Sequence, residues 1–191
     1  MRRLIIAALA SAALVALPGC GKSSTADAPE AASDASSATL AGAISGAAGL
    51  STVASALKGS GLASVFDGAA PYTLLAPTDD AFGALGEAGA TLKTPENSAA
   101  MAAILRGHIL PGYVTMADLD AALDAAKGKA VKMTTMAGDE LSFSRDGEEL
   151  TVTAPDGSSA KVDGKPLTAT NGVVIPIDAV LKKVPKTASA G

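Results

Sequence analysis

The chain offers few side chains for chemistry: one histidine, His108, one cysteine, Cys20, no tryptophan and two tyrosines, Tyr72 and Tyr113. A lone histidine cannot build a multi-histidine metal site, and a hard cation would need clustered carboxylates. Asp118, Asp120 and Asp124 come nearest to a cluster, but their spacing reads as the solvated face of a helix. His108 and a distant serine could act as base and nucleophile, yet no Gly-x-Ser-x-Gly elbow is present to hold a strained serine. The glycines from Gly83 to Gly89 have neither the spacing nor the lysine of a phosphate loop. The chain is therefore read as non-enzymatic, with no metal and no cofactor.

The N-terminus carries an address. Arg2 and Arg3 precede an apolar run from Leu4 to Ala16, which is shorter than the ~20 residues of a spanning helix and suits a signal peptide. Leu17-Pro18-Gly19-Cys20 then resembles a bacterial lipobox. That resemblance implies cleavage after residue 19, diacylglycerol on Cys20 and attachment to the cell envelope. Gly21, rather than Asp, implies sorting to the outer membrane. Residues 20–38 carry Ser, Ala, Asp, Thr, Glu and Pro without a large apolar side chain after Cys20, so they read as a disordered tether. Loss of residues 1–19 leaves 13 basic against 19 acidic residues, a formal charge of −6. An acidic chain with 3% aromatics does not suit nucleic acid.

Residues 39–185 suit one domain, followed by a loose tail at 186–191. Its first half has apolar residues at spacings of three and four: Leu40 and Ile44, then Leu50, Val53 and Leu57, then Leu62, Val65 and Phe66, with Lys58 to Gly61 as a turn. Tyr72 to Ala76 reads as a buried strand ended by Pro77, and Thr78 as the cap of a helix whose first turn holds Asp79 and Asp80 and whose buried face starts at Phe82. Thr94 and Pro95 predict another helix start, with Met101, Ile104, Leu105 and His108 on one face. Thr115 predicts a further one, with Leu119 and Leu123 inward and Gly128 as its stop. From Val131 the period becomes two, giving strands at Val131 to Met136, Leu141 to Ser144, Leu150 to Thr153, Ala160 to Val162 and Val173 to Ile175. Asp146-Gly147, Asp156-Gly157 and Asn171-Gly172 supply turns where positive φ is needed. Helices first and strands afterwards argue for α+β.

Three strings carry a family resemblance: Tyr72 to Phe82, Ile104 to Thr115, and Ala169 to Leu181. In that order they resemble the motifs of the fasciclin (FAS1) domain. The resemblance implies a wedge-like β-sandwich with helices along one side, and a binding or adhesion module that meets a protein or cell-surface partner. Its candidate residues are Thr78, Asp79, Asp80, Phe82, His108, Pro111, Tyr113, Asn171, Gly172 and Asp178. Gly107 stands where the family usually has the Tyr of a Tyr-His pair, so His108 is read as a core histidine satisfied by hydrogen bonds. Pro176 stands where His or Tyr is common, and its missing amide predicts an edge strand or a bulge. Asp178 is expected to begin a closing turn and accept local amides. Tyr113 is either an exposed anchor or a cover on the edge of the core. The alternative to adhesion is a carrier of an apolar molecule such as a carotenoid or lipid, with Met101, Met116, Met133 and Met136 either lining a groove or filling the core.

Overall fold

The computed structural model describes residues 38–147 and 149–183. Cys20, the leader, nearly all of the tether and the C-terminal tail lie outside the described residues. Helices α1 (Leu40–Gly46), α2 (Ser51–Gly59) and α3 (Ala63–Phe66) lead into strand β1 (Tyr72–Pro77). Helices α4 (Asp79–Gly83), α5 (Glu87–Leu92) and α6 (Ser98–Arg106) follow, then strand β2 (Ile109–Pro111) and helix α7 (Met116–Ala125). Strands β3 (Val131–Thr134), β4 (Glu140–Asp146), β5 (Glu149–Thr153), β6 (Ser159–Lys161), β7 (Leu167–Ala169) and β8 (Gly172–Ile177) complete the domain.

The strands form two four-stranded sheets. One has the order β2-β1-β8-β7, with β1 parallel to β8 and the outer pairs antiparallel. The other is the antiparallel meander β3-β4-β5-β6. Side chains alternate across a strand, so β1 and β8 each serve two cores. Leu74, Ala76 and Val174 face a helical core built from Leu40, Ile44, Val53, Leu57, Phe66, Phe82, Met101 and Leu105. Leu75, Val173, Ile175 and Ile177 belong to the core of the sandwich, with Leu141, Phe143, Leu150 and Val152 of the second sheet and Leu119 and Leu123 of α7. Burial on both faces explains why these two strands read as unbroken apolar runs.

Caps set the helix starts. The Thr78 hydroxyl accepts from the Ala81 amide at 3.2 Å, and the Thr39 hydroxyl accepts from Gly42 at 3.3 Å. Thr115 and Asp118 form a reciprocal capping box on α7. The start at Thr94 differs from its prediction: Pro95–Asn97 is a single 3-10 turn, the Thr94 side chain makes no capping bond, and α6 begins at Ser98. His108 lies beyond the end of α6, and Lys58 and Gly59 still belong to α2.

The prolines also behave differently from their sequence reading. Pro77 is the last residue of β1, in register with Ile177. Pro176 sits in an internal strand, not an edge, opposite Ala76 of β1. It is tolerated because pairing with β7 stops at Val174, and the bridge from Ile177 to Val162 that follows on that flank uses the Pro176 carbonyl and the Asp178 amide, not the Pro176 nitrogen. The Asp163 amide instead donates to the Pro176 carbonyl at 2.9 Å. Strands β2 and β7, each three residues long, have no counterpart in the sequence reading.

Candidate functional site

The family-motif residues fall into three groups, and each group is held by side-chain bonds to backbone. In the first, Asp79 does more than serve its own helix. Its carboxylate accepts from the Ser51 amide at 3.1 Å, the Ser51 hydroxyl at 2.8 Å and the Thr52 amide at 2.7 Å. It thereby caps α2, whose own Leu50 has no side chain able to do so. Partial burial opposes ionisation of Asp79, but the bonds from Thr52 and Ser51 outweigh it and hold the pKa at about 2. Asp80 is exposed at the helix start, while Phe82 is buried in the helical core and faces no solvent.

The second group surrounds Asn171 and Gly172. The Asn171 side chain accepts from the Leu40 amide at 2.7 Å and donates to the carbonyls of Phe66 at 2.7 Å and Gly68 at 2.6 Å. One buried amide thus ties the start of α1 to the end of α3. Gly147 and Gly157 take the positive φ expected of their turns, but Gly172 does not. A Cβ there would run into the Tyr72 carbonyl oxygen, so glycine is required by close approach of two strands. Asp178, expected to accept local amides, pairs instead with the end of β6, beside the bridge of Ile177 to Val162: it accepts from the Lys161 amide at 2.7 Å while its own amide donates to the Lys161 carbonyl.

His108 is 0% exposed, and both ring nitrogens are engaged. Nδ1 lies 2.8 Å from the Ile104 carbonyl, and the Leu181 amide donates to Nε2 at 2.9 Å. A nitrogen that accepts an amide carries no proton, so the ring is neutral with its hydrogen on Nδ1. Burial pushes its pKa down to about 4, against the smaller opposing effect of the Ile104 carbonyl. Asp156 pins the same C-terminal segment by accepting from the Lys183 amide at 2.8 Å. Partial burial opposes its ionisation, yet bonds from Ser158 and Lys183 and the nearby Lys182 charge bring its pKa to about 2.

The His108 geometry fixes a pH dependence. Below pH 6.5 the unfolded chain takes up a proton on this ring, and the folded chain does not until about pH 4. Stability therefore falls as pH drops through that window, by about 2 to 3 kcal/mol between pH 7 and pH 4.5. Asp79 and Asp156 titrate below this range and add their loss only at lower pH. Urea midpoints at the two pH values should show the fall in the parent chain and not in His108→Gln, whatever that variant's baseline stability. An equal fall in both would contradict the assignment.

The third group is the loop after β2. Gly112 donates to the Pro71 carbonyl, and the buried Thr73 hydroxyl donates to the Gly112 carbonyl at 2.9 Å and accepts from the Val114 amide at 2.8 Å. Pro111 and Tyr113 project from this fixed backbone, with Tyr113 42% exposed. At the other end of β2, the Met136 amide donates to the Ile109 carbonyl, and the Met136 side chain is 37% exposed. These are the exposed large apolar side chains among the described residues, and they flank one edge strand.

The structure does not bring the first and third groups together. Pro111 is in register with Tyr72, whereas Asp79 follows Pro77, so the two segments lie at opposite ends of β1, roughly 17 Å apart along the strand. Burial in the helical core keeps Phe82 itself from touching a partner, whereas Tyr113 is exposed. Nor do the methionines form one groove: Met101 is in the helical core, while Met116 and Met133 pack against the sandwich core. Among the described residues no group of His, Cys, Asp and Glu could hold a metal. Asp120 and Asp124 both pair with Arg145. The Thr73 bonds, the reach of Asp156 to Lys183 and the exposure of Met136 had no sequence signal, because each depends on residues distant in the chain.

The chain is similar to two proteins of Synechocystis sp. (strain ATCC 27184 / PCC 6803 / Kazusa). It is 34% identical to protein sll1483 over 133 residues, covering 69% of this chain and 66% of that one. It is 29% identical to the uncharacterized protein sll1735, covering 69% of this chain and 87% of that one. A solved FAS1 domain pair from the insect cell adhesion molecule fasciclin I matches with a TM-score of 0.65 at 19% identity, over 76% of this chain and 51% of the pair. That likeness establishes the fold, a sandwich of two sheets with helices packed along one side. The fasciclin domain model matches residues 48–183, which include all three motif strings. The chain belongs to the fasciclin domain family.

Proposed function

We propose that this protein is a non-enzymatic binding or adhesion module, held in the bacterial cell envelope by an acylated Cys20, that meets a protein or cell-surface partner through the β2 edge. The observation that carries this reading is the placement of Tyr113 and Met136 at the two ends of an edge strand, on backbone fixed by Thr73 and Ile109. A tyrosine on a rigid support is suited to anchor a partner, since little entropy is lost on contact, and the flexible methionine can fit itself to the partner's shape. His108 supports the non-enzymatic part, because both of its nitrogens are committed to backbone groups in the core. The solved fasciclin I pair comes from a cell adhesion molecule, and the same role is proposed here.

Two variants test the two halves of this reading. Tyr113→Ala should leave the urea midpoint within about 0.5 kcal/mol of the parent and reduce retention of partners from cell-envelope extracts by about tenfold or more. Unchanged retention at unchanged stability would remove Tyr113 from the contact. Cys20→Ser should move the protein from the membrane fraction to the soluble one. Unchanged fractionation would refute the anchor without touching the β2 edge.

A further inference from the structure

A cleft of about 620 Å³ opens between α2, the segment from Lys93 to Pro95 and the start of α6. That volume falls within the range of small-molecule sites, roughly 300 to 1,000 Å³. Its apolar lining is Ala56 of α2, Pro95, Leu92 and Met101, and the last two belong to the helical core. The remaining side chains supply hydroxyls and one cation, Lys93. Among the described residues, the hydroxyls of Ser55 and Ser98 and the Lys93 ammonium make no hydrogen bond or ion pair, whereas the Ser51 hydroxyl is committed to Asp79.

Charge gives the cleft a direction. Asp79 stays ionised beside Ser51, so that end repels an anion, and Lys93 is the lining's sole charged residue. We propose that this cleft binds a small amphipathic carboxylate of the fatty-acid type. Its apolar chain lies against Met101 and Leu92, and its carboxylate pairs with Lys93 and accepts from Ser55 or Ser98. The flexible thioether of Met101 lets the floor adapt to chain shape. The site shares no residue with the β2 edge, so it stands or falls independently of the contact reading.

The test uses the full chain, with dansyl-labelled undecanoic acid as the fluorescent probe and dodecanoate and dodecanol as competitors. One saturable site is expected, from which both competitors displace the probe. Lys93→Gln should weaken dodecanoate about fivefold, as an exposed ion pair allows, and leave dodecanol unchanged. Ser55 is exposed, so Ser55→Trp places an indole in the cleft without disturbing the core. That variant should keep the parent's urea midpoint and lose both competitors. Absence of saturable binding, or binding that survives Ser55→Trp, would overturn the site. Equal weakening of dodecanoate and dodecanol by Lys93→Gln would overturn the carboxylate assignment.

Discussion

Replacing Gly172 with alanine is expected to destabilise the domain by about 3 kcal/mol or more. The added Cβ would overlap the Tyr72 carbonyl oxygen and press on both δ-methyls of Leu40, at 3.1 and 3.2 Å. A backbone oxygen in a paired strand cannot swing aside as a side chain can. Relief would require β1 and β8 to part at the point where the Tyr72 amide also bonds the Asn171 carbonyl. Gly147→Ala is the internal control: its φ is 63° but nothing lies within 4 Å, so only the backbone cost of about 1 kcal/mol applies. Urea midpoints decide between them. If Gly172→Ala proves no costlier than Gly147→Ala, the close approach of the two strands is not as described.

Phe82→Ala should cost about 3 to 5 kcal/mol, because it empties a fully buried position between α4 and the helices that cover the first sheet. Thr78→Ala, four residues earlier, should cost about 1 kcal/mol, the value of one helix cap. The ordering carries the information, since both residues lie in the same motif string. Equilibrium unfolding that made the cap the larger effect would mean that this motif is not anchored through its phenylalanine.

The sequence was most legible where structure is local. The passage from Tyr72 to Phe82 reads as strand, cap and helix because each step depends on residues within four positions, and the structure keeps Thr78 as the cap. The two-residue period after Val131 likewise marks β3, β4 and β5 within one or two residues at each end. Strands β2 and β7 escaped because three residues cannot show a period and each is made by its partner, β1 or β8. Asn171 was readable as a turn residue, but its bonds to Leu40, Phe66 and Gly68 span 103 to 131 positions and leave no local trace. The same holds for Asp79 capping a helix 27 to 28 residues earlier and for Asp178 bonding Lys161. As a candidate contact residue, Tyr113 was visible from composition alone. Met136 joined it only once the bond from its amide to Ile109 placed it beside β2.

If the β2 edge is where this module meets its partner, site-specific photo-crosslinking on intact cells should capture that partner there. Benzoyl-phenylalanine would be placed at Tyr113 in one preparation and at Lys161, on the distant edge strand β6 of the other sheet, in a second. Position 113 should give a discrete covalent adduct and position 161 none. No adduct from 113, or the same adducts from both positions, would contradict that contact.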